Sequence, residues 1–153
     1  MFNINIGDIF RNPMFMSAVF SWACAQVIKT IIHAIMNKKL DFERLFGDGG
    51  MPSGHSATVT ALATSAALLY GFASSEFAIS CILAIVVMHD AMGVRREAGK
   101  HAQALNELLL RLNDGQIPVE TKLKEFLGHT PSQVFFGALL GLCVATVFVT
   151  FIL

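Results

Sequence analysis

A glycine-rich stretch that leads into an apolar segment contains the residue types needed to hold a phosphate group. It covers residues 49–56 and reads GGMPSGHS. The first backbone N–H groups of a helix lack partners within the helix, and the helix dipole favours an anion there. We predict a phosphate cradle in which Gly54 lets a ligand approach the backbone, Ser53 adds a hydroxyl donor and His55 protonates a leaving oxygen. The structural alternative is that Ser53 only caps a helix and His55 is incidental.

A second group of polar residues follows the third apolar segment. Asp90 lies at the end of that segment, where a carboxylate is costly unless it has a partner or contacts water. Arg95 and Arg96 are permanently charged and can bind phosphoryl oxygens in bidentate fashion. His101 has the chemistry of a nucleophile or a base. These residues predict a second wall of a phosphate site, and ordinary flanking charges of a membrane segment are the alternative.

Polar side chains also occur inside the first apolar segment, namely Gln26, Lys29 and His33. A lysine at this depth either extends to the membrane surface or faces the interior of a helix bundle, where it can bind phosphate. His33 lies one turn beyond Lys29, shares its face and is expected to line the site. His129, just before the last apolar segment, is interpreted as a structural residue.

The composition predicts an integral membrane protein. Apolar residues make up 54% of the chain and charged residues 14%, against about 25% charged in an average soluble protein. Eleven basic residues balance eleven acidic residues, so no net charge recruits nucleic acid. The cysteines each lie in an apolar stretch, which argues against a disulfide framework or a zinc site.

The hydropathy pattern predicts one all-α domain over residues 1–153. Apolar helices are expected near 14–36, 55–72, 77–92 and 133–153, separated by polar connections at 37–54 and 93–132. The second connection has the spacing of an amphipathic helix that ends at Asn113-Asp114-Gly115, followed by a short surface helix over Glu120–Leu127. Thr130-Pro131-Ser132-Gln133 predicts a capping box at the start of the last helix. The expected architecture is a bundle of about four membrane-embedded helices plus an amphipathic helix on the cytoplasmic side.

Basic residues predict the orientation of this bundle. The two polar connections contain Lys38, Lys39, Arg44, Arg95, Arg96, Lys100, Arg111, Lys122 and Lys124, whereas the opposite side has only Arg11. The positive-inside rule therefore places the connections and the site on the cytoplasmic side of the cell (inner or plasma) membrane. Gly137 and Gly141 form a G-x-x-x-G pair, a helix-contact pattern whose partner is either the same chain or a second copy in a homo-oligomer.

The two motifs together resemble a known family. The string from Gly50 to Ala57, followed by Asp90-Ala91-Met92-Gly93-Val94-Arg95-Arg96, is similar to the divergent branch of the type 2 phosphatidic acid phosphatase and vanadium haloperoxidase superfamily, over roughly residues 10–150. The resemblance implies a helical core and hydrolysis through a phosphohistidine, without metal or another cofactor. It implies that His55 is the general acid and His101 the nucleophile. Phosphate would be held by Lys29, Ser53, Gly54, Arg95 and Arg96.

Two positions depart from the family pattern. The first motif expects Arg-Pro after its lysine, where this chain has Met36-Asn37, and Arg44 or Arg96 could take that role. The third motif expects an aspartate where this chain has Leu105. Candidates to replace that aspartate are Asp90, Glu97 and Asn106.

These inferences predict a lipid phosphatase acting on phosphatidylglycerol phosphate, phosphatidate or polyprenyl diphosphate. The first alternative is a protein that binds or transports a phosphate-bearing lipid head group without hydrolysis, which the two departures favour. A metal-assisted phosphatase using Asp90 and His89 is a further alternative, but adjacent helical residues point about 100° apart.

Overall fold

The computed structural model describes residues 5–38, 50–112, 122–123, 125 and 128–152. The helices are a 3₁₀ helix Ile6–Arg11, then α1 (Pro13–Asn37), α2 (Gly54–Tyr70), α3 (Ser75–Met92), α4 (Val94–Leu112) and α5 (Pro131–Phe151). The predicted apolar segments therefore correspond to α1, α2, α3 and α5. The amphipathic pattern corresponds to α4, and its expected end at Asn113-Asp114-Gly115 lies outside the described residues.

Within the part of the chain that the structure describes, three helices are long and apolar enough to cross a membrane: Pro13–Asn37, Ser75–Leu112 and Pro131–Phe151. The second of these joins α3 to α4 through Gly93, and its apolar part is α3, because α4 carries most of its charged residues. The fourth expected span is not confirmed. With 17 residues, α2 extends about 25 Å, less than a hydrocarbon core of about 30 Å.

The short helix α2 lies at the centre of the bundle, in contact with α1, α3 and α5. Its small side chains permit this, because Ala57, Ala61 and Ala66 are fully buried between neighbours. The outer helices instead expose large apolar side chains, such as Ile79 and Phe135, as expected of surfaces that face lipid.

Polar and small residues join α2 to its neighbours. The hydroxyls of Ser17 in α1 and Ser65 in α2 are 2.6 Å apart, and Ser21 donates to the Ala57 carbonyl at 3.1 Å. A side-chain carbon on Gly137 would lie 2.4 Å from the Ser53 carbonyl oxygen. The G-x-x-x-G pair thus has α2 of the same chain as its partner. Homo-oligomer formation stays a prediction, and these buried glycines do not support it.

These contacts define the direction of each helix. Because Ser17 contacts Ser65 while Lys29 contacts Gly50, α1 and α2 are antiparallel, whereas the Gly137–Ser53 contact makes α5 parallel to α2. The His129 N–H, directly before α5, donates to the Ala91 carbonyl near the end of α3. Consequently the carboxyl ends of α1 and α3 and the amino ends of α2 and α5 meet at one end of the bundle. We call this the site end. Both polar connections leave from it, as the predicted alternation required.

The connection before α5 packs against α4. Asn106 of α4 accepts from the Leu123 N–H at 2.9 Å and donates to the Leu123 carbonyl at 2.8 Å. Lys122, Leu123 and Glu125 are not helical, so the predicted surface helix over Glu120–Leu127 is wrong at its described residues. The capping box is confirmed, because the Gln133 N–H donates to the Thr130 hydroxyl and the Thr130 N–H donates to the Gln133 side chain.

Candidate functional site

The amino end of α2 presents backbone donors at the site end. Ser53 caps the helix by accepting from the Ser56 N–H at 3.3 Å and from the Ser56 hydroxyl at 3.0 Å. Its own N–H donates to the Gln133 carbonyl at 3.0 Å. Among the described residues, no hydrogen bond uses the N–H groups of Gly54 and His55. These two donors, with the positive end of the helix dipole, form an arrangement suited to an anion.

Ser53 itself is fully buried. Its oxygen already accepts two hydrogen bonds from Ser56, so the structural alternative of a helix cap describes its contacts. Its predicted role as a phosphate ligand stays a prediction.

Lys29 packs against Gly50 in the loop that leads into α2. Its side chain is only 6% exposed, and its Cγ would be 3.0 Å from a side-chain carbon on Gly50. Gly50 also has φ of 84°, a conformation that residues with a side chain rarely adopt. The loop therefore needs glycine at this position for two reasons. Of the two alternatives for Lys29, its burial favours the one in which it faces the bundle interior, whereas phosphate binding by Lys29 stays a prediction.

His55 projects from the first turn of α2 with an exposed side chain. The centre of its ring lies 5.9 Å from the ring centre of His129, at an interplanar angle of 53°. His129 is 5% exposed, and its N–H donates to the Ala91 carbonyl at the end of α3 at 2.9 Å. His129 thus connects the amino end of α2 to the end of α3, which agrees with its interpretation as a structural residue, although the sequence did not indicate that it lies beside His55.

Gly128 holds this connection close to the α3–α4 junction. Its φ is 88°, and a side-chain carbon there would be 2.5 Å from the Arg96 nitrogen. The backbone of Arg95 and Arg96 is therefore packed directly against the residue that precedes His129. The sequence contains one indication of where His129 lies. Because His129 immediately precedes the capping box of α5, it must lie at the same end of the bundle as the start of α5.

Asp90 and Arg95 form an ion pair across this junction, with Arg95 Nε 2.8 Å from Asp90 Oδ2. Both side chains are about half exposed. Arg95 thus supplies the partner that a carboxylate at the end of an apolar segment requires. The terminal nitrogens of Arg95 make no hydrogen bond to described residues and are suited to a phosphoryl oxygen.

His101 lies two turns into α4 with an exposed side chain. Among the described helices, α4 contacts only α3, so His101 and His55 are not brought together by helix packing. None of the three candidates for the missing aspartate forms a hydrogen bond with His101. Asp90 accepts from Arg95, and Glu97 accepts from Lys100. Asn106 donates to the Leu123 carbonyl and to the Glu125 carboxylate. Arg44, a candidate for the missing arginine, lies outside the described residues.

Glu97 forms an ion pair with Lys100 on the exposed part of α4. The hydrogen bond from Lys100 at 2.6 Å lowers the pKa of the Glu97 carboxyl, with smaller contributions from the charges of Lys100, His101 and Arg96. Glu97 therefore carries a negative charge one turn from His101 at neutral pH.

An apolar groove lies beside the loop that enters α2. It has a volume of about 320 Å³. Its walls come from α1, α5 and the Met51-Pro52 dipeptide, and they are formed by Ile28, Ile32, Met51, Pro52, Phe136, Leu139, Leu140 and Cys143. The groove thus begins directly before the residue that caps α2.

Comparison with known proteins assigns the chain to a family. Residues 10–144 match the family described as Divergent PAP2 family. The chain is 41% identical to the uncharacterized membrane protein YuiD of Bacillus subtilis (strain 168) over 155 aligned residues, covering 94% of this chain and 98% of that protein. No solved structure matches. The family match and the similarity to YuiD agree with the bundle of apolar helices. The chain belongs to the divergent PAP2 family of membrane proteins.

Proposed function

We propose that the protein binds the phosphate group of a membrane lipid at the amino end of α2 and hydrolyses its ester bond. The observation that carries this proposal is the pair of N–H donors of Gly54 and His55, with the exposed imidazole of His55 beside them. Lys29 beneath the loop and Arg95 at the α3–α4 junction add positive charge. Membership of a PAP2-related family supports phosphate chemistry at these residues.

The proposed reaction has two steps. In the first, a neutral histidine nitrogen attacks phosphorus, the bond between phosphorus and the lipid oxygen breaks, and protonated His55 gives its proton to the departing oxygen. In the second, neutral His55 takes a proton from water, which attacks the phosphohistidine and releases phosphate and the free histidine. The backbone donors and basic side chains stabilise the charge on the three remaining oxygens in both steps.

The nucleophile has two candidates. The resemblance implies His101, which lies on α4, whereas His129 is the histidine beside His55. In a phosphohistidine mechanism, changing the nucleophile to alanine removes the covalent intermediate completely. We expect His101→Ala to abolish the acid-labile phosphoprotein that wild type forms with radiolabelled lipid phosphate, and His129→Ala to retain it. The reverse result would transfer the role to His129.

The apolar groove supports a lipid as the substrate. A phosphate held by Gly54 and His55 would place the rest of its ester near Met51 and Pro52, which line one end of the groove. The remaining walls belong to α1 and α5, two helices apolar enough to cross a membrane. An acyl or polyprenyl chain can therefore lie between these helices while its head group stays at the site end.

Filling the groove is expected to impair lipid turnover selectively. Leu139→Trp places an indole where the acyl or polyprenyl chain of the lipid would lie, and the lipid phosphate would therefore be displaced. A displacement of about 1 Å at the reacting atoms costs up to about 100-fold in rate. We expect kcat/KM for phosphatidate to fall between about 10-fold and 100-fold, with little change for the soluble ester p-nitrophenyl phosphate. Leu142→Trp is the matched control, because Leu142 is equally exposed on α5 but does not line the groove. Equal losses for both esters would contradict a chain in the groove.

Phosphate release by the purified protein tests the function itself. The substrates are phosphatidylglycerol phosphate, phosphatidate and polyprenyl diphosphate in mixed micelles, with and without a chelator. A site facing the cytoplasm favours phosphatidylglycerol phosphate, since glycerolipid synthesis occurs on that face. Turnover of none of these lipids would refute the proposed reaction.

A second function is favoured by one observation, the separation of α4 from α1, α2 and α5. If His101 does not reach the phosphate, the same donors would bind a lipid head group without breaking a bond. Saturable binding of phosphatidate with no phosphate release, both with and without divalent metal, would support this alternative.

A further inference from the structure

Gln26 is a buried polar residue for which the sequence suggests no role. Its side chain is 7% exposed, and its Oε1 is buried without a hydrogen-bond partner. Such an atom is costly, because it loses its bonds to water and gains none in return. The cost is greater in a membrane protein, because few water molecules reach the interior of the helix bundle.

Two neighbours on α1 show what Gln26 faces. Trp22, one turn before it, contacts Gly54, with Trp22 Cδ1 3.5 Å from the position of a side-chain carbon on that glycine. Lys29, three residues after it, contacts Gly50. Residues at these spacings share one helix face. Gln26 is therefore directed at the loop between Gly50 and Gly54, which leads into the proposed phosphate site.

The same face continues to His33, whose Nδ1 is also buried without a partner. We call Gln26, Lys29 and His33 the α1 polar face. It combines one cation with two side chains that have unused hydrogen-bonding capacity, opposite the amino end of α2. A bound phosphate group would supply partners either by donating through a P–O–H group or by accepting from a side-chain N–H.

We propose that the side-chain amide of Gln26 forms a hydrogen bond with the phosphate group bound at the amino end of α2. The two ends of a carboxamide have nearly the same shape, so the amide can accept from a P–O–H group or donate to a phosphoryl oxygen. The α1 polar face is then the wall of the site that faces α2. This inference rests on the proposed phosphate site but not on hydrolysis at that site.

Gln26→Met tests this assignment, because methionine is also unbranched and of similar length but cannot form the bond. We expect the dissociation constants for inorganic phosphate and for phosphatidate in nanodiscs to rise about tenfold or more, as expected for one hydrogen bond to a charged group. The melting temperature without ligand should stay the same or rise, since a buried polar group without a partner is removed. A purely structural glutamine would give the opposite pattern, a lower melting temperature with unchanged binding.

Thr30→Val is the matched control. Thr30 is a buried neighbour on α1, and its hydroxyl already donates to the Gln26 carbonyl at 2.9 Å. We expect this variant to bind both probes like wild type. If Gln26→Met lowers the affinity for both probes, the result supports a bond to the phosphate group. If it lowers the affinity for phosphatidate alone, the result supports the bond and identifies the lipid as the ligand. Unchanged affinity for both probes, or no binding of either probe by wild type, overturns the proposal, whereas binding without hydrolysis leaves it intact and refutes only the proposed reaction.

Discussion

Changing His55 to alanine is expected to lower kcat for phosphatidate by about 10²–10⁴-fold, the range of a general acid. The dissociation constant for phosphate should change little, because the donors that remain are the backbone N–H groups at the start of α2, together with Lys29 and Arg95. The side chain is exposed and caps no helix, so its removal should leave the melting temperature unaltered.

The leaving group distinguishes acid catalysis from other roles of His55. A lipid alcohol is a poor leaving group that needs a proton, whereas p-nitrophenolate leaves without one. The loss of rate in His55→Ala should therefore be large with phosphatidate and much smaller with p-nitrophenyl phosphate. His89→Ala is the matched control, since His89 is another exposed histidine near the site end. Full activity of His55→Ala on phosphatidate would remove this residue from the mechanism.

Changing Gly141 to alanine is expected to destabilise the bundle by about 1–3 kcal/mol, the usual cost of overpacking a tight contact. The added carbon would lie 2.3 Å from the Ala57 carbonyl oxygen and 3.0 Å from the Ala61 nitrogen. Both are backbone atoms of α2, so α2 and α5 would have to separate. The direction of the change in the free energy of unfolding is informative, because alanine in place of glycine usually stabilises a helix by about 1 kcal/mol. A loss of stability therefore indicates the tight contact with α2.

Thermal unfolding in detergent measures this effect, with Leu142→Ala on the exposed face of α5 as the control that should change stability little. Gly137→Ala should have a further consequence. Its added carbon would lie 2.4 Å from the Ser53 carbonyl oxygen, so it would displace the residue that caps α2. Phosphate binding should weaken in that variant more than in Gly141→Ala. A Gly141→Ala protein as stable as wild type would show that α2 and α5 are not in contact here.

Local patterns in the sequence were sufficient to locate most helices. The capping box at Thr130 predicted the start of α5, and the spacing of apolar residues predicted α4, because both depend on neighbours within one or two turns. The predicted helix over Glu120–Leu127 is wrong at its described residues Lys122, Leu123 and Glu125, where the hydrogen bonds between Asn106 and Leu123 hold the chain outside a helix. Asn106 is distant in sequence from Leu123, so no local pattern could reveal that contact.

The sequence by itself determined that the chain is a helical membrane protein with a glycine-rich motif directly before its second helix, because composition and helix-start chemistry are local properties. Only the tertiary structure decided which residues meet there. It paired Asp90 with Arg95, placed His129 beside His55 and buried the side-chain oxygen of Gln26 without a hydrogen-bond partner. It also placed His101 on a helix that contacts only α3 among the described helices. The physical reason is that helix packing sets these neighbours through small-residue contacts such as Gly137 on Ser53, which join residues far apart in the chain.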